Sequence, residues 1–96
     1  MKATLEIVGA IIRVYPDDAK PYAPFDASLF VVADDRTATL KGLVTDRFTT
    51  AHRNAIVRCL RENGFEEAVW YRWSVGEDGR PVRREMRFSI PKEPSA

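Results

Sequence analysis

Only one stretch of this 96-residue chain carries the three-to-four-residue apolar period of an amphipathic helix. It is "TTAHRNAIVRCLRENG", residues 49–64, and the apolar runs on either side of it read as strands. A single helix can shield only one face of a sheet. The chain is therefore expected to be an α+β domain: an antiparallel β-sheet of about five strands, in the order βββαββ, with one main α-helix packed on one face. The other face must be covered by a partner or left open.

The helix is signalled at both ends. Thr49 or Thr50 can cap its first turn, and Gly64 supplies a left-handed stop after Asn63. At ~100° per residue, His52, Ala55, Ile56, Cys59 and Leu60 share one face, and Arg53, Asn54, Arg58 and Arg61 the other. The first strand is expected over Ala3–Tyr15, with Leu5 and Ile7 opposite Thr4 and Glu6. After Gly9 both faces are apolar, so Gly9 marks a bulge or the point where the strand moves to the middle of the sheet. Its second face, Val8, Ala10, Ile12 and Val14, is then the surface in need of a cover. Residues 15–27 carry three prolines and no period, which makes them a loop. "SLFVVADDRTATLKGLV" reads as a hairpin turning at Asp34, Asp35 and Arg36, and residues 67–75 and 82–90 as strands four and five. The domain is expected to span residues 1–90, with 91–96 a disordered tail.

A chain of this size can build its own core. The formal net charge is only +1, which argues against a strongly polyanion-binding protein. The charge is nevertheless uneven: residues 47–96 hold ten of the fifteen basic side chains, nine of them Arg. Arg suits multi-donor contacts with carboxylates, phosphates and aromatic faces. The single Cys59 and the absence of an apolar leader point to a reducing cytoplasm. The longest apolar run, Ile7–Ile12, is too short to cross a bilayer, so no membrane association is expected.

Candidate chemistry is sparse. His52 and Cys59 could suggest a nucleophile and base, but seven residues along one helix separate their Cα atoms by about 10 Å. One His and one Cys make no metal site at any familiar spacing. Both are expected to be core residues, with His52 bonded to backbone in the first turn. The acid pairs Asp17-Asp18 and Asp34-Asp35 fall in loops, where Asp serves turns. No phosphate-cradling loop, nucleophile elbow or dinucleotide fingerprint is present. No enzyme activity, cofactor or metal is expected.

The C-terminal hairpin offers more. If Asp78-Gly79 forms a two-residue turn, Trp70 lies across from Arg87, Arg72 from Glu85 and Ser74 from Arg83. One face then shows Trp70 among Arg72, Arg83 and Arg87. The pattern admits a plain solvated face, a protein interface built on Trp and Arg, or a stacking and phosphate platform for nucleic acid. For the last reading Arg53, Arg58 and Arg61 would join Trp70 and Arg87.

Two runs, "FTTAHRNAI" and "LRENGFEEAVWYR", resemble a segment found in small phage- and prophage-encoded proteins. Phe48, His52, Arg53, Ile56, Leu60, Gly64, Phe65, Trp70 and Arg72 are the matching positions. The resemblance implies an accessory protein acting inside an infected host, and no chemistry. A strand hairpin followed by a helix and "ENGF" is similar to acetyltransferases, yet "TDRFTTAH" stands where their Gly-rich loop belongs. "NGF", "DGR" and "IP" echo small ribonuclease toxins, whose Gly-Ser-His run is replaced here by "YRWS". The expected role is a non-enzymatic protein-interaction module, a homodimer or the partner of another protein. It would use the Trp70/Arg72/Arg83/Arg87 face or the sheet face around Ile12. Nucleic-acid binding is the alternative.

Overall fold

The computed structural model describes residues 1–92. Along the chain stand β1 (Gly9–Val14), β2 (Ala27–Asp34), β3 (Thr37–Thr45), α1 (Thr50–Glu62), β4 (Glu67–Val75) and β5 (Pro81–Ser89). The strands form one sheet in chain order. The sheet is mixed rather than antiparallel: β3 and β4 run parallel, pairing Thr37–Thr39 with Glu67–Val69, while the other neighbours are antiparallel. The helix is the cause. It carries the chain from the end of β3 back to where β3 began, so β4 sets off in the same direction. Of the expected C-terminal tail, residues 93–96 lie outside the described residues.

The helix is capped as its sequence requires. Thr49 is the N-cap, with extended backbone, and its hydroxyl accepts from the His52 N–H at 3.3 Å. In return the His52 ring accepts from the Thr49 N–H at 3.0 Å, a capping box with His where Glu or Gln is usual. At the other end Gly64 adopts φ 85°, Phe65 N–H donates to Leu60 O and Gly64 N–H to Arg61 O. Those two bonds are a Schellman motif, and they close the helix where glycine alone is unstrained.

Ile56 and Leu60 press the helix onto one sheet face, in a buried cluster with Ile12, Val14, Ala27, Leu29, Val31, Ala38, Ala68 and Ile90. The β1–β2 register pairs Val14 with Ala27, Ile12 with Leu29 and Ala10 with Val31, which builds this stripe. Ile12, expected on the uncovered side as a partner-binding residue, is therefore core. β2 explains the inversion: its alternate residues Ala27, Leu29 and Val31 offer a continuous apolar row, and the helix takes the side where that row meets Ile12 and Val14. The side left open carries Ile11, Phe30 and Val32, all substantially exposed.

β1 is shorter than expected. Its register sets Gly9 opposite Val32, so Val8 meets Ala33, whose N–H donates to Val8 O at 2.8 Å. Leu5 would need residue 36 as its partner, and Arg36 already belongs to the β2–β3 turn. Residues 1–7 overrun the sheet, leaving Leu5 and Ile7 exposed.

The expected bulge at Gly9 is absent, and the irregularity falls between Ser28 and Phe30, opposite Gly42. Gly42 has φ 63°, and a Cβ there would sit 3.2 Å from the Phe30 ring. The positive φ strains any larger residue, and the Phe30 ring would have to give by a few tenths of an ångström. Gly42→Ala is expected to cost about 1–2 kcal/mol in chemical denaturation. Gly9→Ala, whose new Cβ would approach nothing closer than 3.9 Å, should be near neutral.

Candidate interaction surfaces

His52 is buried at the start of α1, and both of its ring nitrogens are engaged. Because Nδ1 accepts from the Thr49 N–H, Nε2 carries the proton and donates to Asp26 Oδ2 at 2.7 Å. Thr49 Oγ1 lies 3.2 Å from Nδ1. The arrangement pins the helix N-terminus to the start of β2, and it leaves no ring nitrogen free for a substrate proton in this conformation. Cys59 is half-buried one turn before the helix end. Burial, then the nearby Glu62, pushes its thiol above the ordinary cysteine range, which disfavours the nucleophilic thiolate. Among the described residues no three of His, Cys, Asp and Glu gather as a metal site.

The β4–β5 hairpin closes through a three-residue loop, not the expected two-residue turn. Gly76 N–H donates to Arg80 O at 2.8 Å, Gly79 N–H to Gly76 O at 3.0 Å, and Gly79 takes φ 78°. Glu77 and Asp78 form the turn, and Gly79 supplies the left-handed residue that rejoins the strands. One extra loop residue shifts the register by one, and every cross-strand pair changes face. Trp70 now pairs with Met86, Arg72 with Arg84, Tyr71 with Glu85, Trp73 with Arg83 and Val69 with Arg87.

The predicted Trp/Arg cluster is therefore divided. Trp70 and Arg72 lie on the helix side of the sheet, with Met86, Arg84 and Phe88. Arg83 and Arg87 lie on the open side, with Tyr71 and Trp73. Arg83 stacks over Tyr71, 4.3 Å from its centroid. Arg87 is bound by Glu67 and, at 3.1 Å, by Glu85. The Glu67 hydrogen bond, then that from Glu85, raises its pKa further, so this guanidinium is permanently charged and already satisfied. On the helix, Arg53 lies 5.2 Å above the Phe88 ring, so it faces the sheet rather than solvent alone. Arg58 is exposed and Arg61 half-buried. The six arginines do not converge on one surface.

The open face of β1 and β2 is a different kind of surface. Ile11 pairs with Phe30 and Gly9 with Val32, and these side chains form a shallow apolar concavity. Phe30 at 56% exposure, Ile11 at 51% and Val44 at 65% are exposures of solvent-facing residues, though their chemistry is that of a core. Val44 extends the patch, since it pairs with Ser28 on the same face. Toward β4 the face turns polar through Thr39 and Lys41, and Val69 is buried there between its neighbours Thr39 and Arg87.

Sequence reasoning missed Phe30, Ile11, Arg84 and Asp26. Phe30 could have been found from the alternation of "ASLFVVAD", where it is the lone aromatic out of phase with Leu29 and Val31. The adjacent Arg83-Arg84 in a strand forces one guanidinium onto each face whatever the register. No helix is long and apolar enough to cross a membrane among the described residues. No known protein family, curated protein or solved structure matches the chain.

Proposed function

We propose that this chain is a non-enzymatic interaction module that works as a homodimer, joined through the open sheet face around Ile11, Phe30 and Val32. One observation carries the reading: a five-stranded sheet carries α1 on one side, and the other side presents a contiguous apolar patch centred on an aromatic ring. A second copy of the same patch is its natural cover, because a two-fold axis through Phe30 matches apolar surface to apolar surface. The proposal extends to an accessory role in a bacterial cytoplasm, supported by the resemblance of residues 48–72 to phage-encoded proteins and by the single thiol.

Light scattering behind size-exclusion chromatography tests the reading. The protein should run at dimer mass independently of salt, and Phe30→Lys should convert it to a folded monomer with unchanged circular dichroism. A wild-type monomer at high micromolar concentration, or a Phe30→Lys dimer, would overturn it.

A further inference from the structure

Beyond Val69 the sheet splits. β4 loses β3 as a neighbour, and β4 and β5 continue alone as a two-stranded ribbon. From Val69 to Val75 the ribbon extends about 20 Å at ~3.3 Å per residue. Residues 72–75 and 77–85 are exposed on both of its faces, Trp73 at 69% among them. Its arginines are treated unequally. Arg80 has Asp78 within 3.7 Å, and Arg87 has Glu85 and Glu67. Arg72 and Arg84 are direct cross-strand partners, yet among the described residues neither has a carboxylate within ion-pair distance.

Like charges directly opposite each other weaken a strand pair. A ribbon with so little tertiary support gains nothing structurally from such a pair. Directly opposed residues have Cβ atoms about 5 Å apart, which lets two guanidiniums bracket one tetrahedral oxyanion with parallel N–H donors. Arg83, with no carboxylate of its own among the described residues, presents a third cation on the opposite face. A protruding ribbon with cations on both faces fits a groove walled by phosphates, and a nucleic-acid major groove is wide enough for a two-stranded ribbon. We infer that the β4–β5 ribbon is a nucleic-acid-binding arm, with Arg72 and Arg84 holding the phosphodiester backbone. The inference is independent of the homodimer reading, since it uses a different part of the sheet; a dimer would present two such arms.

Fluorescence anisotropy with a short labelled DNA duplex, and with one of its strands, tests the arm at low and moderate salt. The wild type should bind at low salt and weaken steeply as salt rises. The double variant Arg72→Thr, Arg84→Thr should lose about tenfold in affinity or more, and its log–log salt slope should flatten by about 1, for the one phosphate that the pair brackets. Its melting temperature should equal or exceed that of the wild type, because a repulsive pair has been removed, so the loss cannot be laid to unfolding. Arg58→Ala, on the outer face of the helix, should bind as the wild type does. No binding at low salt, an unchanged double variant, an equal loss from Arg58→Ala, or equally tight binding of poly-glutamate would each overturn the assignment.

Discussion

Leu60→Ala should destabilise the protein by about 2–5 kcal/mol. Leu60 is 2% exposed and is the largest fully buried side chain among the described residues. It sits in the last turns of the helix, where with Ile56 it supplies most of the apolar bulk laid against β1, β2 and β4. A total stability of roughly 5–15 kcal/mol is usual for a single domain, so the loss is a large part of the whole. Urea unfolding followed by far-ultraviolet circular dichroism measures it. A loss under 1 kcal/mol would show that the helix is held by something other than this face.

The second large effect concerns Asp26 and His52. Asp26→Ala leaves the part-buried Nε2–H without its acceptor; because the Asp26 side chain is 58% exposed, water can take its place in part, and the cost should be about 1 kcal/mol. His52→Ala removes that bond, half of the capping box and a ring lying 6.0 Å from Phe48, and should cost at least as much, about 2 kcal/mol or more. The two losses should not add. In a double-mutant cycle the pair ought to show a coupling of about 0.5–3 kcal/mol, and additive losses would mean that the 2.7 Å contact carries no energy. Asp26→Asn separates charge from geometry, since its amide oxygen can still accept from Nε2.

The helix was legible almost to the residue, because its period, its Thr cap and its Gly stop agree. The order of elements followed from it. What the sequence could not settle were matters of parity. In a strand with apolar residues on both sides, such as β1, nothing local says which side meets the helix; the register with Ala27, Leu29 and Val31 decides, and it sent Ile12 inward and Ile11 outward. In the C-terminal hairpin, Asp-Gly serves a two-residue turn as well as the end of a three-residue loop. That one-residue difference separated Trp70 from Arg83 and Arg87. The Asp26–His52 bond joins residues 26 apart in the chain, through tertiary placement that no periodicity encodes. The direction of β4 was within reach, since a helix between adjacent strands implies a crossover.

The junction of β3 and β4 rests on three residue pairs, Thr37–Glu67, Ala38–Ala68 and Thr39–Val69. On one side stands a three-strand meander whose partners are close in sequence; on the other, a hairpin whose contacts are closer still. Few backbone pairs hold that seam, and the helix closes it from above, since Ile56 and Leu60 share one buried cluster with residues of both halves. Amide hydrogen exchange should therefore grade outward from that cluster, with the outer ribbon exchanging fastest and the β1–β2–β3 amides near Leu29 and Val31 slowest. A ligand held by the outer ribbon would slow its amides and leave those of the meander as they were.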